Sequence, residues 1–582
     1  MKRFFLVRGP EVRQLESRRQ GRSAIPLGLL GVFVLTGLWW VRAQPAPQPL
    51  EALVPAGALV YAEARDFGAL LRDWDSSAEK RTWLASANYS VFSRSHLLLR
   101  FADAQTEFAA AAGLPPNYAL LNSVAGTNSV LAMYDISKLE FLYITRLPSA
   151  RVLNTALWRG RGTYQTRRAA GVDYYVKTDR ASQRSAAFAY TGDLLLLATR
   201  ESALSGALEL LARQNRPALI GETWFTQATS AAEPGARDLR LAYNLERLIA
   251  TPQFRSHWVQ QNISALKEFG TGLADLERTT IEVRERRVLL RPNPTTDVTA
   301  NESPTGQLLA MLPDNASLYR AWAHPSAEQA GAWVTRKLFS RTSSVARQTT
   351  EAPDLPENSA AGEEADLEVR IDEVPLLDDR SSAAFANLRK LFEASTLDAM
   401  LEASSTTVDA GQVFVRPHSA LVLLANAPWN GAAVRTALGD TASLWTQGNL
   451  GATWKTAAVG QELSGLGKLI VAVDGTRLIL GDSPDLVAAL WARRNQPALP
   501  GAIYAAGWRH ALELPNFERM MRLIDYPEIR AREPGNGTRE PMFYSENMAS
   551  FGRVLGRVQQ ATIARHDSGA MVREQVVYRL TP

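Results

Sequence analysis

Apolar residues between Val130 and Leu147 gather into two runs, VLAMYD and KLEFLYITRL, separated by a short polar break. That spacing predicts a pair of adjacent strands. A short helix around Ala150–Leu157 is expected next, then strands at Val172–Lys177 and Ala186–Thr199, the latter turning at Thr191-Gly192-Asp193. Far along the chain LIVAV, Asp474-Gly475 and TRLILG repeat this hairpin pattern, and Asp-Gly suits it because both residues tolerate the positive φ of a tight turn. Each hairpin leads into a helix. Leu204, Ala207, Leu208 and Leu211 recur at the spacing of a buried stripe. Ser483 is placed to cap the second helix, with Pro484 at its first position and Asp485 in its first turn. Both helices should stop near Asn215-Arg216-Pro217 and Asn495-Gln496-Pro497, because proline disfavours helix in the residue before it.

These parallels belong to a longer repetition. Leu53-Val54-Pro55, Ala58 and Tyr61 answer to Met311-Leu312-Pro313, Ala316 and Tyr319 at an offset of 258. Pro148 and Thr155-Ala156-Leu157 answer to Pro428 and Thr436-Ala437-Leu438, and the stretch from Ala212 to Gly221 to that from Ala492 to Gly501, at an offset of 280. Phe269-Gly270 and Thr280-Ile281 align with Phe551-Gly552 and Thr562-Ile563 at an offset of 282. Ordered correspondences at nearly constant spacing predict an internal duplication. The expected layout is one unit at 53–291, a Pro/Thr/Asn-rich linker at 292–307 and a second unit at 308–582. The rising offset puts an insertion early in the second unit, at 341–380, where eleven acidic groups and four arginines predict a solvated, disordered loop. It lacks the ligand spacing of a calcium loop. Hairpins alternating with single helices predict an α+β fold: two tandem homologous units of antiparallel-dominated sheet with helices on one face.

The N-terminus changes the setting. Ala24 to Val41 carries no charge over eighteen positions, and a helix of that length spans about 27 Å, close to the roughly 30 Å bilayer core. Trp39 and Trp40 sit at its distal end. The basic cluster of residues 1–23 precedes it, so the positive-inside rule keeps that tail cytoplasmic. The expectation is a single transmembrane helix at 24–42, a Pro-rich spacer at 43–52, and the bulk of the chain on the far side of a bacterial inner membrane. A cleaved signal peptide fits less well, because its charged leader would be unusually long.

Net charge is +5, but residues 1–23 hold seven basic and two acidic groups, leaving the remainder neutral. No basic face exists downstream to track phosphate, which argues against nucleic-acid binding. The absence of cysteine excludes disulfides, thiolate metal sites and cysteine nucleophiles. The six histidines, His96, His257, His324, His418, His510 and His566, show no metal-ligand spacing, and no phosphate-cradling glycine loop occurs. No metal, cofactor or catalytic residue is therefore assigned. One pattern suggests chemistry: Ser264-Ala265-Leu266-Lys267 places an amine one helical turn from a hydroxyl, as in penicillin-recognising acyl transferases. Its best companion, Lys455-Thr456-Ala457, has alanine where that chemistry needs glycine. Arg159, Arg161, Arg167 and Arg168 cluster around Trp158 and Tyr164, and read as protection of a sheet edge.

The opening Leu/Val-Pro followed by a short spacer and a Tyr-containing strand, at Leu53–Tyr61 and Leu312–Tyr319, resembles uncharacterised bacterial envelope families. Those have one N-terminal anchor and a duplicated extracytoplasmic α+β body. The resemblance implies location and architecture but no catalytic residues. The function expected is that of a membrane-anchored extracytoplasmic binding or scaffold protein, with the inner membrane and an envelope protein as partners. The alternatives are a serine acyl-transferase or hydrolase using Ser264 and Lys267, and a carrier of lipid or another hydrophobic ligand whose helices form a lid over the sheet.

Overall fold

Two apolar faces, not one, decide the architecture. Strands such as Leu194–Ala198 (LLLLA) and the inner part of Arg416–Ala425 (ALVLLA) are apolar at nearly every position, so both sides of the sheet must be covered. The computed structural model describes residues 48–581, except 87–88, 90–91, 94–95, 137, 252–265, 296–302, 340–378, 409–414, 446–452, 465–467, 525–551 and 553–554. All twenty strands belong to one compact unit, Leu50–Pro582, and every pairing is antiparallel.

In the first half the strands are β1 (Val60–Asp66), β2 (Thr127–Asp135), β3 (Glu140–Arg146), β4 (Gln165–Ala169), β5 (Val172–Thr178), β6 (Ser185–Thr191), β7 (Leu194–Ala198), β8 (Leu239–Asn244), β9 (Thr271–Arg278) and β10 (Glu282–Leu290). The second half contributes β11 (Leu318–Ala323), β12 (Leu397–Thr407), β13 (Arg416–Ala425), β14 (Thr453–Thr456), β15 (Gln461–Ser464), β16 (Lys468–Asp474), β17 (Arg477–Gly481), β18 (Tyr504–Trp508), β19 (Val558–Asp567) and β20 (Met571–Leu580). Their spatial order in the first half is β4-β5-β6-β7-β3-β2-β1-β8-β9-β10. The second half runs β14-β15-β16-β17-β13-β12-β11-β18-β19-β20, the same order element for element.

The register repeats as well. One cross-strand row runs Ala187–Ala198–Leu142–Ala132–Tyr61–Ala242–Leu273–Val288. Its counterpart runs Ile470–Gly481–Ala420–Ala403–Tyr319–Gly507–Thr562–Val577. Thr562 thus corresponds to Leu273, and the alignment of Thr562-Ile563 with Thr280-Ile281 is a mismatch: Thr280 and Ile281 lie in the turn between β9 and β10, whereas Thr562 lies within β19. Gly192 and Gly475 take positive φ at the two hairpins, as their turns demand. Ser483 caps the helix Pro484–Ala492 by accepting from the Leu486 N–H at 3.4 Å.

The expected fold class needs three corrections. First, the two halves do not have separate sheets: β10 pairs with β20 through nine residue pairs, Glu282↔Arg579 to Leu290↔Met571, giving one continuous 20-stranded sheet. The middle pair is Arg286↔Gln575, and because Val288 corresponds to Val577 the pairing is symmetric about it. Second, helices cover both faces. One face packs Leu204, Ala207 and Leu208 of the helix Glu201–Leu211 against Tyr61, Val130, Leu142 and Leu196. The opposite face of the first half carries Val124, Val152 and Ala111–Ala112 from other helices. In the second half Leu486, Val487 and Leu490 cover one face, and Trp333, Phe392 and Val434 the other. Third, no described helix is long and apolar enough to cross a membrane, so the expected transmembrane helix is not part of the described fold. Residues 24–42, on which that expectation stood, lie outside the described residues, as do the tail 1–23 and most of the acidic insertion, 341–378.

Element boundaries also differ from the expected layout. Leu50 and Leu53, in the short helix Leu50–Leu53, are buried core residues within the expected spacer and at its border. At the expected linker the helix Ser303–Leu309 places Leu308 in the second core, and buried Thr305 donates to the Ala502 carbonyl at 2.7 Å.

Charged pairs add to apolar packing near the joint, where Val572 packs with Leu289, Phe269 and Leu245. Arg287 donates to Glu574 at 2.8 Å, and Arg291 meets both oxygens of Asp567 at 2.6 and 2.7 Å. Both contacts link the two halves. On the other face Arg240 holds buried Asp275 with two bonds of 2.6–2.7 Å. Such bidentate pairs fix geometry as well as charge.

Two stability predictions follow from these contacts. Gly507 sits beneath the Tyr319 ring, where an added Cβ would approach a ring carbon to 2.2 Å; Gly507→Ala should cost about 1–3 kcal/mol, read as a lower chemical-denaturation midpoint. The Arg291 hydrogen bonds hold the Asp567 carboxyl below the usual carboxylate range. Its contribution is therefore complete above the unfolded value near pH 4 and is lost as pH falls through the lower folded value. Asp567→Asn should destabilise the chain at neutral pH by about 2 kcal/mol, and the gap to the parent should narrow between pH 5 and 2; a gap independent of pH would refute this linkage.

Candidate functional site

The helix-bearing face that carries Val124 and Ala111 does not close over the first half of the sheet. A cavity of about 510 Å³ separates the helices from the strands and is lined almost entirely by apolar atoms. Its floor is a single cross-strand row, Ala62–Leu131–Tyr143–Leu197–Phe188, contributed by β1, β2, β3, β7 and β6. Strand alternation turns this row away from the core on the other face, where Tyr61, Ala132 and Leu142 point.

The roof comes from the segment joining β1 to β2. Asp66 caps the helix Phe67–Ser76 by accepting from the Ala69 N–H at 2.7 Å, and Asn117 caps Tyr118–Val124 by accepting from the Leu120 N–H at 3.0 Å. Between them the helix His96–Ala112 ends in Ala109–Ala112, and Gly113 at φ +70° turns the chain out. Phe108, Leu120 and Leu121 line the roof, while Ala111 and Ala112 keep their contact with Ala186 small. Hydrogen bonds also tie the helix His96–Ala112 to the rest of the first half. The Tyr164 hydroxyl donates to the Ala112 carbonyl, and Arg184 Nε donates to Glu107 Oε2 at 2.8 Å. Burial pushes the Tyr164 hydroxyl up to about 12.

Polar groups on the lining fall into two sets. One is spent internally: Tyr143 donates to the Val124 carbonyl at 3.1 Å and contacts Ser129, which lies 2.6 Å from Thr145. Burial raises the Tyr143 pKa, keeping it a neutral donor. The other set, Gln105, Glu107, Lys138 and Arg184, is collected at one end, where Arg184 also bonds the Lys138 carbonyl.

The matching face of the second half is filled. Counterparts of the floor row are Arg320, Glu402, Leu421, Leu480 and Val471. The last three are buried under Trp333, Phe392, Trp429 and Leu438. Buried Glu402, at the position of Leu131, meets Lys337 at 3.3 Å and Arg320 at 3.9 Å. Equivalent framework, opposite filling: one half encloses space, the other a solid core.

Residues singled out from the sequence lie elsewhere. Ser264 is outside the described residues, and Lys267 is exposed just before β9. Lys455 and Thr456 lie on β14, at the outer edge of the second half. That is about 50 Å along the sheet from β9 at roughly 4.8 Å per strand, so the structure does not bring Lys267 and these two together. Of the histidines, His510 is buried, which lowers its pKa, and His418 contacts Thr407 at 2.7 Å. Among the described residues no group of three metal-ligating side chains occurs. Arg167 and Arg168 lie on β4, the outer edge of the first half, paired with Glu201 and Asp173. The pocket residues themselves were missed in the sequence. The caps Asp66, Ser77 and Asn117 and the Ala-rich turn were the signals that marked a helical roof.

No protein-family model matches the chain, and no curated protein matches it. Among solved structures, crystal forms I, III and IV of TP0453 are similar at 15% identity and a TM-score of 0.24. Forms I and IV cover 44% of this chain and 83% of that one; form III covers 47% and 90%.

The hydroxyl cluster yields a prediction. Tyr143→Phe strands the buried Val124 carbonyl and should cost about 1–2 kcal/mol in a denaturant titration, with no change in secondary structure by circular dichroism.

Proposed function

We propose that the protein binds a hydrophobic small molecule between the helical roof and the sheet floor of its first half. The carrier reading thereby takes precedence over the scaffold and acyl-transferase readings. One observation carries it: the repeated framework holds a large apolar cavity in the first half and a packed core in the second. A cavity of 510 Å³ lies within the roughly 300–1,000 Å³ typical of small-molecule sites. The nearly complete absence of free polar groups on the floor and roof favours an aliphatic or aromatic body over a sugar or nucleotide.

Leu131 faces the cavity from the middle of the floor. Leu131→Trp should project an indole into the middle of it and obstruct a ligand there. The expected outcome is at least about a tenfold loss of affinity for a fluorescent apolar probe, with a melting temperature equal to or above the parent's. Undiminished binding by a folded Leu131→Trp chain would overturn the assignment of the site.

A further inference from the structure

We infer that the ligand is a single-chain amphiphile with an anionic head, and that Lys138 at the polar end of the cavity meets that head. This rests on the hydrophobic-ligand reading and names its chemical class. Apart from hydroxyls spent on hydrogen bonds within the protein, such as those of Tyr143, Ser129 and Thr199, the polar side chains of the lining are Gln105, Glu107, Lys138 and Arg184, collected at one end. A wholly apolar ligand has no use for such an end, and a ligand polar at both ends would leave groups unpaired on the floor.

Among the side chains that line that end the charges do not cancel; Asp135, on the Lys138 backbone, lies outside the lining. Glu107 is spent on Arg184 at 2.8 Å, and Arg184 is further occupied by the Lys138 carbonyl. The Lys138 ammonium has no carboxylate partner among the described residues, although its backbone N–H is held by Asp135 at 3.0 Å. The set Glu107, Lys138 and Arg184 therefore keeps one net positive charge, on an exposed and flexible side chain rooted beside Leu139 in the cavity wall. A carboxylate or a phosphate monoester supplies the missing partner, and its alkyl chain would lie along the Leu131–Tyr143–Leu197 row. Among the described residues the second half shows no such site: its corresponding face is packed, and the acidic group there, Glu402, already has Lys337.

The test titrates the full chain calorimetrically with decanoate, decyl phosphate and decanol, all below their aggregation limits. The parent should prefer at least one anion over decanol by about tenfold at low salt, with a smaller preference as ionic strength rises. Lys138→Gln should bring anion and alcohol to within about twofold, read as the ratio of the two affinities. Glu107→Gln, which frees Arg184, should widen the preference. Equal affinity of anion and alcohol in the parent, or a preference that survives Lys138→Gln, would overturn the head-group assignment and leave the apolar site standing. Failure of all three compounds to bind would sink both.

Discussion

Pairing of β10 with β20 is the constraint on which the molecule depends. The two strands are nearly three hundred residues apart in sequence, yet nine residue pairs join them in unbroken register. Without that ladder each half would end in a free strand rich in alternating charge, β10 in one and β20 in the other. Joined, Arg287 of β10 meets Glu574 of β20, and Arg291, just past β10, meets Asp567 at the end of β19. Among the described strands only β4 and β14 remain as open edges, both short, and both bearing cations that discourage further strand addition.

The same framework serves two ends because strand register and side-chain volume are separable. Register fixes which five positions face the helices; the residues at those positions decide whether the helices collapse onto them. Leu421, Leu480 and Val471 lie beneath large aromatic groups, and the space is closed. In the first half the helix above presents alanines and is held by polar ties at Tyr164 and Arg184, so it spans the floor without descending onto it. Close-packed interiors do not leave such space by accident.

Local elements were readable from pattern alone: the hairpins at Gly192 and Gly475, the Ser483 cap and the Leu204 stripe all depend on neighbours in sequence. The repeat was visible in motifs, but its register was not, and Thr562 was set against Thr280 where topology sets it against Leu273. Coverage of both faces was written in strands such as LLLLA and ALVLLA, which lack the polar alternation of a one-sided sheet. Joining of the halves was less legible, since a charged strand such as EVRERRVLL reads as solvated until its partner is known. The cavity was least legible of all. Lining residues such as Leu131, Leu197 and Phe188 are those of any core, and only the volume left between elements distinguishes a pocket.

The symmetric centre of the β10–β20 ladder carries one more consequence. In a homodimer of identical halves, the residue on the axis would face its own copy, so an arginine there would oppose an arginine and be repelled. Here Arg286 faces Gln575. Covalent fusion has released that position from self-complementarity, and with it every other position: one half can fill its helical layer while its twin keeps room inside.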